Sequence, residues 1–158
     1  MSDAPLRFEH APRFNHVAMS VPAEALDEAG RAAIVHFYSE VFGWEELPTM
    51  TADRERLVLA AWRYDQFVFL VADERPMQAP RLDHWGLSVA SVEELLVLRD
   101  RVRAFAAALP PEEASEVDLI DHTYEDHEAD GKVVLRLHSF YVRYRLPLMV
   151  EVQAWEWQ

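Results

Sequence analysis

The chain reads as α+β, one unit of strand, helix and three strands used twice. Three observations carry this. The segment Phe14-Asn15-His16-Val17-Ala18-Met19-Ser20-Val21 recurs as Leu82-Asp83-His84-Trp85-Gly86-Leu87-Ser88-Val89, an offset of 68 residues. Each copy is followed by apolar residues at three- and four-residue steps, the spacing of a helix face. Short apolar runs follow each helix, so single helices sit among meandering strands, unlike a doubly wound sheet.

The elements follow in order. Residues 1–12, polar and carrying Pro5 and Pro12, read as a loose N-terminal arm. Residues 14–21 alternate as a strand, with Phe14, His16, Ala18 and Ser20 on one face. Leu26, Ala29, Ala33, Ile34, Phe37, Tyr38 and Val41 form one helix face, and Gly43 marks its stop. Residues 44–50, 56–62 and 67–72 are the expected strands, with a turn at 63–66 between the last two. Residues 77–81, with Pro76 just ahead and Pro80 within, link the halves. The domain is expected to span 13–158, with modules at 13–76 and 81–158.

The second module repeats the order. Ser91-Val92-Glu93-Glu94 is a capping box ahead of the helical run Val92 to Leu109, which Pro110-Pro111 ends. Residues 117–124, 132–142 and 148–157 are the expected strands. The stretch 125–131 is acidic, carries His127 and reads as a loop.

Composition narrows the function. A 158-residue chain with 51% hydrophobic residues has material for a real core, and a chain of that length buries roughly 70% of its unfolded surface. It has no cysteine. That excludes disulfides, thiolate metal sites and cysteine nucleophiles, and it agrees with a reducing cytoplasm, the expected location. No apolar run reaches the ~18 residues of a membrane span, and the N-terminus has no signal-peptide pattern. A net charge of −13 argues against nucleic-acid binding. No glycine-rich phosphate loop or nucleophile-elbow text is present. The expected partner is a small molecule.

A duplicated strand with one histidine in each copy makes a symmetric cleft, His16 facing His84. The late carboxylate Glu151 completes a donor set of two imidazoles and one carboxylate. That set suits non-haem Fe(II) with open coordination positions. A lone strand histidine is more often structural; the matched pair is what lifts this reading.

These residues resemble the vicinal oxygen chelate superfamily, which includes glyoxalase I, bleomycin-resistance proteins and extradiol dioxygenases. The similar text is Asn15-His16-Val17, then His36-Phe37-Tyr38-Ser39-Glu40-Val41-Phe42-Gly43-Trp44, then Asp83-His84-Trp85-Gly86-Leu87-Ser88-Val89, then Val150-Glu151-Val152. The resemblance covers Phe14 to Trp157. It implies two βαβββ modules forming a curved mixed sheet around a cleft, and a homodimer. It also implies a divalent metal on His16, His84 and Glu151, with Fe(II) favoured and Mn(II), Ni(II) or Zn(II) as alternatives. The fourth family position aligns with Leu70, which is no ligand.

Ser139-Phe140-Tyr141-Val142-Arg143 is similar to extradiol dioxygenase text, and Tyr141 precedes Glu151 by the spacing of that group's active-site tyrosine. Tyr141 is therefore a catalytic candidate. The acid/base histidine of those enzymes falls on Lys132, and Tyr144-Arg145-Leu146-Pro147 replaces their usual turn. His138, three residues from Tyr141 on a strand, points to the opposite face. His122 and His127 are the remaining candidates for a base, if the 125–131 loop folds over the cleft.

The reading expected from all this is a metal-dependent enzyme acting on two neighbouring oxygens of a small substrate, ring-cleaving dioxygenation included. The alternative is a metal-free drug-binding module of the bleomycin-resistance type. A glyoxalase-like isomerase comes third, because Leu70 offers no carboxylate base. Trp155 is in phase with Glu151 and is expected at the cavity mouth; Trp85 is out of phase with His84 and is expected in the core.

Overall fold

The structure is a computed structural model and describes residues 13–63 and 65–158. The arm at 1–12, with His10, lies outside the described residues. Two four-stranded sheets form, and their internal order is the same. In the first, β1 (His16–Val21) pairs parallel with β4 (Phe67–Ala72), β4 antiparallel with β3 (Arg56–Ala60), and β3 with β2 (Glu45–Glu46). In the second, β5 (His84–Ser88) pairs parallel with β8 (Met149–Trp157), β8 antiparallel with β7 (Lys132–Tyr144), and β7 with β6 (Val117–Ala129). The helix α1 (Glu28–Phe42) follows β1, and α2 (Val92–Ala108) follows β5. The α+β reading with two βαβββ modules is therefore what the chain forms.

Local chemistry explains the helix ends. The Asp27 carboxylate accepts from the Gly30 amide at 2.9 Å and caps α1. At the other end Gly43 takes φ 72°, and the Trp44 amide bonds the Tyr38 carbonyl at 3.2 Å. Ser91 accepts from the Glu94 amide at 3.2 Å, and Glu94 reaches back to the Ala90 amide at 2.9 Å. A short helix, α3 (Pro111–Ala114), uses Pro111 at its first turn.

One apolar core joins the modules. Ile34, Phe37, Tyr38 and Val41 of α1 pack with Leu57, Leu59, Val68 and Leu70 of the first sheet and with Phe140, Val142 and Tyr144 of β7. Tyr38 is fully buried, and its hydroxyl donates to the Tyr144 carbonyl at 3.2 Å, a link between modules. Burial raises that phenol, so it stays neutral and keeps donating. Phe37 stacks edge-on to Phe105 of α2 at 5.0 Å.

Three expectations are corrected. The strand expected over 44–50 is only Glu45–Glu46, because Pro48 has no amide to give a ladder and starts a 3-10 turn at Pro48–Met50. The acidic stretch 125–131 is not a loop. Asp130 (φ 54°) and Gly131 (φ 72°) make a two-residue turn, and β6 runs to Ala129. Leu70 is fully buried on the core side of β4. Register places His16 opposite Phe67 and His84 opposite Met149. Two residues past Met149 is Glu151, so the first-module counterpart of Glu151 is Phe69, not Leu70.

Candidate functional site

Glu151 stands mid-sheet, opposite Gly86 of β5 on one side and Tyr141 of β7 on the other. Alternation then gathers His84, Gly86, Ser139, Tyr141, Glu151 and Gln153 on one face, away from the helix-packed core. Gly86 leaves the space over Glu151 open; a Cβ there would lie 3.9 Å from Oε2.

The His84 ring is held in one tautomer. Its Nδ1 lies 2.8 Å from the Leu82 carbonyl oxygen, which only accepts, so in the neutral ring Nδ1 carries the proton and Nε2 presents a lone pair. That Nε2 is 3.3 Å from Glu151 Oε2. Gln153 Nε2 donates to the same oxygen at 2.7 Å, and the Glu151 residue is 5% exposed. The Tyr141 ring meets His84 edge-on at 5.1 Å. Burial first, then its contact with the Glu151 carboxylate, raises the Tyr141 phenol above its ordinary value; Ser139 pulls the other way.

His16 is prepared in the same way on the other sheet. Its Nδ1 is 2.8 Å from the Asn15 side-chain oxygen, so Nε2 is again the free donor atom. The ring stacks on Phe67 at 4.9 Å. It borders a cup of about 420 Å³ with Arg56, Val58 and Phe69. A larger cleft of about 770 Å³ runs between the modules, with His16 and Gly86 on its walls but neither His84 nor Glu151. Among the described residues no three His, Asp or Glu side chains converge as a metal-binding group. The structure therefore brings His84 and Glu151 together and leaves His16 apart from them within one chain.

The other candidates fall elsewhere. A β-bulge interrupts the β6–β7 ladder between Ile120 and Thr123. It turns His122 to the face opposite Glu151, where its Nε2 lies 2.9 Å from His138 Nδ1. His127 pairs opposite Leu135, six residues along β7 from Tyr141, a separation of about 20 Å. The idea that a loop carries either histidine over the cleft is thus corrected; both sit on β6. Trp85 packs against Trp44 at 5.8 Å, as core packing requires. Trp155 is half exposed beside Trp157 at 6.4 Å. Sequence reasoning missed Asn15, Leu82 and Gln153. Gln153 was findable, since it lies two residues from Glu151 in the same phase; the role of the Leu82 carbonyl was not, because any residue supplies one.

No protein-family model matches the chain, and no curated protein matches it. Solved structures do. Lactoylglutathione lyase from Agrobacterium tumefaciens superposes with a TM-score of 0.55 at 16% identity, covering 91% of this chain and 94% of that one. A glyoxalase/bleomycin resistance protein/dioxygenase family enzyme from Burkholderia phytofirmans gives 0.54 at 13% identity, covering 89% and 96%. A mutant of the fosfomycin resistance protein FosX from Listeria monocytogenes, complexed with Mn(II) and 1S,2S-dihydroxypropylphosphonic acid, gives 0.55 at 12% identity, covering 90% of each chain. Identities this low show the fold alone, and that fold is the one of the vicinal oxygen chelate proteins. No helix among the described residues is long and apolar enough to cross a membrane.

Proposed function

We propose that this protein is a divalent-metal enzyme acting on a small substrate with two neighbouring oxygens. Its metal is held by His84 and Glu151 of one chain and His16 of a second copy in a homodimer. The observation that carries this is the pairing of His84 Nε2 with Glu151 Oε2 at 3.3 Å. With the neutral ring's Nδ1–H spent on Leu82, Nε2 and the carboxylate oxygen both offer lone pairs at this separation, a contact that a shared metal ion satisfies, as a proton on Nε2 also would. The separation suits two ligands of one ion, which stand about 3.0–3.4 Å apart when each is about 2.1 Å from it. His16, with its own Nδ1 engaged, supplies the matching third atom.

When bound, the ion would act as a Lewis acid toward the two substrate oxygens and stabilise negative charge developing there. The chain's own residues do the rest. Gln153 fixes the Glu151 oxygen that faces His84. Tyr141 stays protonated at neutral pH and donates a hydrogen bond to a substrate oxygen. Gly86 keeps the approach over Glu151 open. Two imidazoles and one carboxylate favour Fe(II), and with the text around Tyr141 they favour ring-cleaving dioxygenation. The Mn(II) and the vicinal diol in the FosX complex keep Mn(II) beside Fe(II) as the metal.

The second reading is a metal-free binding protein for small aromatic molecules. The absence, among the described residues, of a third ligand beside His84 and Glu151 favours it. One measurement separates the two: metal content by mass spectrometry on anaerobically purified protein, wild type against His84→Ala. Near-stoichiometric metal in wild type and its loss in the variant supports the enzyme. No metal in either, with no uptake of added Fe(II), Mn(II), Ni(II) or Zn(II), supports the binding protein.

A further inference from the structure

Behind the candidate site, on the opposite face of the second sheet, three side chains from three strands form one hydrogen-bonded line. Glu156 Oε2 of β8 lies 2.7 Å from His138 Nε2 of β7, and His138 Nδ1 lies 2.9 Å from His122 Nε2 of β6. The imidazole centroids are 5.1 Å apart and their planes differ by 9°, so the rings lie edge to edge along the bond. His138 is only 7% exposed. Around it the ribbon is otherwise exposed, with Tyr124, Val134, Trp155 and Trp157 all open to solvent. The line is thus a main side-chain tie across a region with little core of its own.

From this we infer that the line is an acid-sensitive latch, which holds β6 on β7 while at most one proton is shared between the two rings and lets go when both are charged. The carboxylate accepts, so His138 Nε2 donates to it, and a neutral His138 must accept at Nδ1 from His122 Nε2–H. Every facing atom is then satisfied. One added proton, whichever ring holds it, still leaves one N–H facing one lone pair and keeps the N–H···N bond. A second proton leaves two N–H groups facing each other at 2.9 Å, and two cations side by side in contact. The release point is built in: the bulge between Ile120 and Thr123 already interrupts the ladder beside His122.

The groups packed around the latch set its balance. From α2, Arg99 faces Asp121 at 3.8 Å and Arg103 also pairs with Asp121. On the ribbon, Arg136 pairs with Asp126 at 2.5 Å and stacks on Tyr124 at 4.7 Å. These carboxylates are already matched by arginines, which leaves Glu156 as the acid bonded to the line. Burial, then the neighbouring His138, holds the His122 imidazole below its ordinary value.

Two measurements on the full chain test this. Amide hydrogen exchange, corrected for intrinsic rates, is compared at about pH 7.5 and about pH 5. The latch predicts about tenfold or greater loss of protection at 122–129 and 133–138 on acidification, with residues 16–21 and 67–72 unchanged. In His122→Phe, which keeps an aromatic ring on His138 but cannot titrate, that acid-specific loss is absent. Nitrogen NMR of the wild-type imidazoles gives a second readout: the pair titrates in two steps more than about one unit apart. Unchanged ribbon protection, equal loss in the first sheet, or independent titration of both rings at the ordinary value would overturn the latch.

Discussion

His84 Nε2 and Glu151 Oε2 stand 3.3 Å apart, and in the neutral ring the one proton sits on Nδ1, held by the Leu82 carbonyl. The same preparation of His16 by Asn15 occurs on the other module. A site completed by a second copy makes a prediction that a single-chain site does not. Chains carrying His16→Ala and chains carrying His84→Ala each fail to hold metal alone. Mixed and allowed to exchange subunits, they form heterodimers in which one of two sites has all its wild-type ligands. Metal binding should return to about a quarter of all sites, as random pairing gives. No recovery, with exchange shown by mass spectrometry, would sink the shared site.

Tyr141 is expected to act on the substrate, not on the metal. The neighbouring Glu151 carboxylate helps raise its phenol and its ring meets His84 edge-on, so Tyr141→Phe keeps the ring packing and removes one donor. Metal content should be unchanged. Turnover of a vicinal-oxygen substrate should fall about 10²–10³-fold, the usual cost of losing one donor to developing negative charge. A variant that loses metal instead would assign Tyr141 to holding Glu151.

Much of this fold was legible because the same signals recur twice. The His16 and His84 strands, the Ser91 cap and the Gly43 stop all read correctly, since each rests on local chemistry. The misreadings have a common cause. The stretch 125–131 reads as a loop by its charge, while Asp130-Gly131 carries the turn signal; exposed strands have no burial pattern to betray them. Leu70 was misaligned because β4 is apolar on both faces, so its sequence gives no phase. The site was half legible. Donor types pick out His84 and Glu151, and the resemblance adds Tyr141, but the distance of His16 from them depends on how the two modules pack, and no local pattern encodes that.

Asp118 makes stability depend on pH. Arg81, just ahead of β5, grips it with two bonds at 2.9 and 2.6 Å, and Arg143 adds a third at 3.1 Å. The Arg81 hydrogen bonds hold this carboxyl below its ordinary value. A group whose folded value is depressed stabilises the fold above the ordinary carboxylate range, and that contribution is lost as pH falls through the folded value. Asp118→Asn should therefore melt lower than wild type at neutral pH. The gap should narrow below about pH 4 and close at stronger acid, followed by scanning calorimetry. A gap independent of pH would mean that the ion pairs contribute nothing.

Gly30 and Gly86 separate what the fold needs from what the site needs. A Cβ at Gly30 would stand 2.4 Å from the Ala25 carbonyl oxygen and 2.8 Å from its carbon, both backbone atoms of the turn that α1 packs against. Alanine would ordinarily gain about 1 kcal/mol inside a helix. The clash opposes that gain, since overpacking costs about 1–3 kcal/mol and backbone yields less than a side chain. Gly30→Ala should lower Tm by several degrees. Gly86→Ala meets only an ordinary contact, 3.9 Å from Glu151 Oε2. It should fold and melt like wild type while crowding the approach over Glu151, so its defect should appear in substrate KM. Equal melting of both variants would show that α1 can shift off its turn at little cost.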